Sequence, residues 1–141
     1  ATAPGHVPTS RRATELKDAG NAEVKAKNYR QAIELYSEAI RVSTEADSDT
    51  SDVPALHALF GNRSLCYIKL GRFAEACSDA EESVSRNNGY AKGFYRLALC
   101  RKNLADLAGA WESIMRAVSL DPEDADIRAL EQEIERAERG E

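Results

Sequence analysis

The feature that most constrains this chain is a repeated pattern of 34 residues. Three segments align without gaps, "NYRQAIELYSEAI" at 28–40, "RFAEACSDAEESV" at 72–84 and "DLAGAWESIMRAV" at 106–118. Ala32, Ala76 and Ala110 then coincide, with 34 residues between the last two and 44 between the first two. A repeat of this length is one supersecondary unit that buries its apolar face against its neighbours. The chain is therefore predicted to stack three units, with ten extra residues between the first and the second.

Within each unit the pattern predicts two helices separated by a short break. The breaks come immediately before Tyr29, Phe73 and Leu107. Small residues allow antiparallel helices to approach closely, while larger side chains fill the space between them. Such residues recur at three positions of the repeat, namely Gly20, Ser64 and Ala98, then Ala22, Cys66 and Cys100, then Ala39, Ser83 and Ala117. We therefore predict that Cys66 and Cys100 are packing residues, and we assign Trp111 to the core.

The repeat also predicts where the domain begins and ends. Its units cover about 13–46, 57–90 and 91–124 of a domain at 13–141, after a flexible N-terminal segment at 1–12. The insertion at about 43–53 has the Ser, Thr and Asp content of a solvated loop, and Pro54 is predicted to open the next helix. A capping helix is predicted at about 122–139, with Asp121 as its N-cap and Pro122 in its first turn. Its apolar residues would cover the last unit.

Composition narrows the possible functions. The chain has 141 residues, a formal net charge of -5 and a pI of about 5.2, which argues against nucleic-acid binding. It has no long apolar run that would span a membrane. Three scattered cysteines form neither a zinc pattern nor a disulfide framework, which favours the reducing cytoplasm. No phosphate loop or hydrolase motif is present in the sequence, so we expect a domain that is not an enzyme and needs no cofactor or metal. We also expect the domain to be monomeric.

Polar residues on the first helix of each unit are the candidates for function. In stacked helix pairs these first helices line the concave face. Lys92 and Arg96 are four residues apart and therefore share one helix face, as do Lys17 and Asn21. Asn62 lies on the corresponding helix of the middle unit. The three helices would bring these side chains together in one groove.

The 34-residue helix–turn–helix unit resembles the tetratricopeptide repeat. The segments "ELKDAGN", "GNRSLCY" and "AKGFYRLA" resemble, more narrowly, the carboxylate-clamp tetratricopeptide domains of heat-shock co-chaperones. That resemblance implies an all-α fold, a right-handed superhelical solenoid of three repeats and a capping helix with a concave groove. It also implies binding of the C-terminal Glu-Glu-Val-Asp of the seventy- and ninety-kilodalton chaperones. The implied clamp is Lys17, Asn21, Asn62, Lys92 and Arg96, and Leu65, Lys69, Leu99 and Asn103 would line the groove and select upstream peptide residues.

These residue types suit a peptide that ends in aspartate, which presents two carboxylates. Lysine supplies a compact cation, arginine a planar fork and asparagine a neutral donor. Two alternatives stay open: single surface cations usually serve solubility, and the repeats could form a general scaffold for an internal peptide or helix. For the four groove residues, ordinary packing or solvation is an equal alternative. His6 and His57 receive no role, and any catalytic activity would belong to a fused domain.

Overall fold

The computed structural model describes residues 9–45 and 53–141, and every regular element in these ranges is an α-helix. The all-α prediction is therefore confirmed. The seven helices are α1 (Thr9–Lys25), α2 (Tyr29–Thr44), α3 (Leu56–Lys69), α4 (Phe73–Arg86), α5 (Ala91–Asn103), α6 (Leu107–Leu120) and α7 (Ala125–Glu138). The second helices of the three units begin at Tyr29, Phe73 and Leu107, as the repeat predicts.

The helices pack in sequential pairs. α1 packs on α2, α3 on α4 and α5 on α6, and each pair contacts the next through α2 with α3 and α4 with α5. In addition, α5 contacts both α3 and α7, so the first helices of units two and three lie side by side, with the last helix next to them. This arrangement gives one face of the molecule to first helices, which is the face on which the repeat places the candidate residues.

The turn within each pair has the same geometry in all three units. One residue adopts a left-handed backbone conformation just after the first helix: Lys27 at φ 63°, Gly71 at φ 73° and Ala105 at φ 64°. In each case the next backbone N–H donates to a carbonyl five residues back, as from Arg72 to Tyr67. This hydrogen bond is the Schellman closure of a helix C-terminus. Only Gly71 adopts the conformation without steric cost, so the turn in units one and three depends on the packing around it.

Small residues allow the close contact within each pair. Ala32, Ala76 and Ala110 are fully buried, as are Ser64 and Ala98. A Cβ atom on Gly20 would lie 2.7 Å from the ring of Tyr36, so glycine is needed for that aromatic ring to pack on α1. Cys66 and Cys100 are fully buried in separate hydrophobic clusters, which confirms them as packing residues. Trp111 packs against the cluster formed by α5, α6 and α7.

A buried ion pair fixes α3 between α2 and α4. The Nε and Nη2 atoms of Arg63 each donate to a carboxylate oxygen of Asp79 at 2.7 Å, and Nη1 donates to the hydroxyl of Ser37 at 3.0 Å. Asp79 is 5% exposed, so this two-pronged contact is protected from water. Together with the apolar contacts of Tyr36 and Leu59, it sets the position of the first unit relative to the second.

Three predicted boundaries differ from the structure. Residues 9–12 are helical rather than part of the N-terminal segment, and residues 43–44 belong to α2 rather than to the insertion. Ser43 is buried, so packing overrides its polar character. Helix α3 begins at Leu56 with Ala55 as its N-cap, two residues beyond Pro54. The predictions for residues 1–8 and 46–52 lie outside the described residues.

The N-cap of the last helix is Asp124 rather than Asp121. Asp121 caps the C-terminus of α6, where its N–H donates to the carbonyl of Ala117. Asp124 has the extended backbone that an N-cap requires, and its carboxylate accepts from the N–H of Ile127 at 3.0 Å. The buried face of α7 consists of Ile127, Leu130 and Ile134, which pack onto α5 and α6.

Candidate functional site

Two cavities that meet at Leu65 lie along the first helices. The first has a volume of about 170 Å³ and is lined by Lys92, Tyr95 and Arg96 of α5, by Leu65, and by Asp124, Asp126 and Ile127 at the start of α7. The second has a volume of about 320 Å³ and is lined by Asn21, Val24, Lys25, Tyr36, Asn62 and Leu65. Four of the five predicted clamp residues therefore lie on the walls of two adjoining cavities.

Arg96 is a largely buried cation. It is 9% exposed, and within residues 9–45 and 53–141 no carboxylate lies at ion-pair distance from its guanidinium. Its Nη1 donates to the Tyr90 hydroxyl over a long 3.4 Å. A buried charge is costly unless it is paired, and a guanidinium has five donors to satisfy. The cavity therefore contains a positive group with unused hydrogen-bonding capacity.

Asn21 has an orientation imposed by a neighbouring helix. The Tyr36 hydroxyl donates to Oδ1 of Asn21 at 2.5 Å. Burial, followed by the Cys66 thiol, raises the pKa of Tyr36 to about 12, against the opposing effect of the Arg96 charge. Tyr36 thus keeps its proton and acts as the donor. Because Oδ1 is occupied, the amide NH₂ of Asn21 is left as a donor for a carboxylate.

The buried acids beneath the groove predict loss of stability at alkaline pH. Burial raises the pKa of Cys66 from 9.0 to about 11 and that of Tyr36 from 10.0 to about 12. The folded state therefore holds both groups neutral, while the unfolded chain ionises them first. The contribution of these two groups to stability is fully present below pH 9.0 and is lost as the pH rises towards about 12. We expect the melting temperature to fall less steeply above pH 10.0 in Tyr36→Phe, and equal slopes would contradict this account.

The start of α7 adds negative charge to the first cavity. Burial raises the pKa of Tyr95, and the carboxylates of Asp126, Glu133 and Asp124 raise it further, in that order. Tyr95 lines the first cavity together with Asp124 and Asp126. Lys92 and Arg96 form one wall of this cavity and Asp124 and Asp126 another. An anionic ligand group would bind on the α5 side.

The remaining predicted residues lie outside the walls of both cavities. Lys17 is half-buried, one helical turn before Asn21. Lys69 is exposed, and exposed Asn103 donates to the carbonyl of Leu99 on its own helix at 2.9 Å. Leu99 packs against the cluster of α5, α6 and α7. Their roles in a groove stay predictions.

Several cavity residues were not predicted from the sequence. Lys25 follows Asn21 by four residues, so helical spacing alone would have placed it on the same face. Tyr36 and the acidic start of α7 gave no local signal, because they reach the cavities through packing between different helices, α2 on α1 and α7 on α5.

Comparison with known proteins gives a match to the family model described as tetratricopeptide repeat, over residues 57–90 and 91–124. Heat shock protein STI1 of Saccharomyces cerevisiae is 39% identical over 109 residues, which are 77% of this chain and 17% of that protein. Human serine/threonine-protein phosphatase 5 is 32% identical over 123 residues, which are 87% of this chain and 23% of the phosphatase. The chain thus spans less than a quarter of either relative.

Solved structures share the fold over most of their length. The first TPR of Spaghetti (RPAP3), bound to the HSP90 peptide SRMEEVD, has a TM-score of 0.79 and 27% identity, covering 91% of this chain and 94% of that one. The second TPR domain of human RPAP3, in complex with the HSP70 peptide SGPTIEEVD, has a TM-score of 0.78 and 25% identity, with coverages of 90% and 98%. Among the described helices of the present chain, none has the length and apolar character needed to cross a membrane.

Proposed function

Because the chain belongs to the tetratricopeptide repeat family, we propose that its groove binds the free C-terminus of a heat-shock chaperone. The ligand is the Glu-Glu-Val-Asp end of the seventy- or ninety-kilodalton class. Solved domains of similar fold and similar length support this proposal, since two of them hold peptides that end in EEVD. The proposed clamp is Lys17, Asn21, Asn62, Lys92 and Arg96.

The observation that carries the proposal is the unpaired guanidinium of Arg96. Arg63, the comparable half-buried arginine of α3, is neutralised by Asp79 within the fold. Arg96 is more deeply buried in the cavity wall and has no such partner among the described residues. A cation kept in this state is ready for a carboxylate that comes from another molecule. Charge-assisted hydrogen bonds to such a group contribute about 1.5–3 kcal/mol each.

The two cavities suit the last two residues of such a peptide, a terminal aspartate with two carboxylates and an aliphatic residue before it. Arg96 and Lys92 face one cavity and can bind a carboxylate, while the amides of Asn21 and Asn62 face the other. Val24, Tyr36 and Leu65 give the second cavity an apolar wall that accepts an aliphatic side chain. Once ordering costs are included, such a set supports micromolar affinity, about -8 kcal/mol.

Under this proposal the domain is a cytoplasmic adaptor that recruits a chaperone to the activity of another domain. The name of human serine/threonine-protein phosphatase 5 states a catalytic activity, but the present chain matches only 23% of the length of that protein. Nothing in the proposed clamp performs chemistry, because its residues are donors without a nucleophile or a base arranged beside a substrate. Any catalysis is assigned to a separate domain.

Calorimetric titration with SRMEEVD and with SGPTIEEVD tests the proposal. We expect dissociation constants in the micromolar range, about 1–100 μM, for at least one peptide. Affinity should weaken with added salt, although less than for exposed charges, because Arg96 is largely buried. A peptide of the same composition with the last four residues scrambled is the control. No heat of binding for either chaperone peptide, or equal affinity for the scrambled one, would overturn the proposal.

A further inference from the structure

Gly61 occupies an unusual place for a glycine, the interior of a helix. α3 runs from Leu56 to Lys69, and glycine weakens a helix relative to alanine. The residue is buried, and a Cβ atom built on it would lie 2.8 Å from Nη1 of Arg96. The same atom would lie 3.1 Å from Cε2 of Tyr90 and 3.3 Å from Oγ of Ser83. The space that a side chain would fill is therefore occupied by the guanidinium of Arg96.

We propose that Gly61 and Tyr90 are positioning residues that form the seat of Arg96, an inference that rests on the proposed function. Gly61 provides the floor against which the guanidinium packs, and the Tyr90 hydroxyl accepts a hydrogen bond from Nη1. An arginine side chain has many rotamers, and fixing it in advance reduces the ordering cost of binding. The seat therefore raises affinity without either residue touching the peptide.

Tyr90 is itself held in place. Its ring meets the ring of His57 edge to face, with centroids 4.8 Å apart. The backbone carbonyl of His57 accepts a hydrogen bond from the Ser83 hydroxyl at 2.8 Å. The start of α3 and the end of α4 thus support the seat, and they hold the Tyr90 ring in position before a ligand binds.

This arrangement separates binding from folding in the Gly61→Ala variant. The nearest atom to the methyl group is the far end of a flexible arginine side chain, which can rotate away, and the Tyr90 ring and Ser83 hydroxyl at 3.1 Å and 3.3 Å need shift by only a few tenths of an ångström, while α3 gains a better helix former. We expect the melting temperature to change little and the affinity for SRMEEVD to fall about tenfold. A residue that served only the stability of the fold would give the opposite pair of results.

A double-mutant cycle tests whether Gly61 acts through Arg96. Gly61→Ala, Arg96→Ala and the double variant are titrated with the same peptide. The double variant should bind no more weakly than Arg96→Ala alone, because the seat has no function without its arginine. Gly89→Ala is the matched control: Gly89 is exposed, and a Cβ atom built on it would lie 3.5 Å from Oδ1 of Asn87, an ordinary van der Waals distance. The control should bind within about twofold of the parent.

Additive losses in the cycle, or full affinity in folded Gly61→Ala, would overturn the inference. If circular dichroism shows that Gly61→Ala does not fold, Tyr90→Phe decides the matter, since it removes only the hydroxyl and keeps the contact with His57. That variant should lose affinity in the parent and none in the Arg96→Ala background, and unchanged affinity in both would refute the seat. Failure of the function itself is recognised separately, because the parent would then not bind the peptide.

Discussion

Arg96→Ala lowers the affinity for a peptide ending in Glu-Glu-Val-Asp by about one to two orders of magnitude. Removing the guanidinium leaves a desolvated peptide carboxylate short of its donor, which costs about 1–3 kcal/mol. Arg96→Lys loses affinity as well, because a point charge cannot reproduce a two-pronged contact. Calorimetry on both variants measures the loss, and the exposed Arg136→Ala, which removes the same charge from α7, is the control.

The stability of Arg96→Ala distinguishes this account from a structural role. Although Arg96 is 9% exposed, its removal leaves no buried carboxylate unpaired within the described residues. The free energy of unfolding should therefore change by less than about 1 kcal/mol. A large drop in melting temperature, or an affinity equal to that of Arg136→Ala, would show that Arg96 serves the fold rather than the ligand.

Deleting residues 125–141 should remove most of the stability of the domain. Ile127, Leu130 and Ile134 are at most 3% exposed, and they cover Ala98, Ile114 and Ala117 of the last helix pair. Burying three such side chains contributes roughly 1.5–3 kcal/mol each before chain entropy, against a typical total of about 5–15 kcal/mol. We expect thermal denaturation to begin more than about 10 °C earlier, with exposed apolar surface.

Point variants on the same helix refine this test. Ile134→Ala should cost about 2–5 kcal/mol, because the side chain is fully buried. Gln132→Ala changes an exposed position two residues away and should stay within about 0.5 kcal/mol of the parent. An unchanged melting temperature in the deletion variant would contradict the role of α7 as the cap of the last helix pair. Because Ile127 also lines the first cavity, the deletion should weaken peptide binding too.

The repeat predicted the helices because each unit has the same helix starts and the same buried small residues. Tyr29, Phe73 and Leu107 each begin a second helix, and the alanines three residues later are fully buried. The Asp121 prediction failed because "LDPED" offers capping carboxylates at two places. Which of the two becomes the N-cap of α7 depends on where α6 ends, and packing rather than residue type determines that end.

The site was predictable only where it follows helical spacing. Lys92 and Arg96 share a face of α5 because they are four residues apart. Helical spacing did not predict that Arg96 is largely buried, which it is because Gly61 of the preceding unit gives its guanidinium a place to pack. The hydrogen bond from Tyr36 to Asn21 depends on how α2 packs on α1 within the first unit, and the acidic wall at Asp126 depends on how α7 packs on α5, so neither follows from the spacing along one helix.

The most direct test of the central claim compares two peptides that differ only at the C-terminus. SRMEEVD is titrated into the domain as the free acid and as the C-terminal amide, with all side chains unchanged. If the groove binds a terminal carboxylate, amidation removes one negative charge and an acceptor for the Lys92 and Arg96 side of the site. We predict at least about a tenfold loss of affinity for the amide. Equal affinity for the two forms would contradict the account and favour a scaffold that binds an internal segment of its partner.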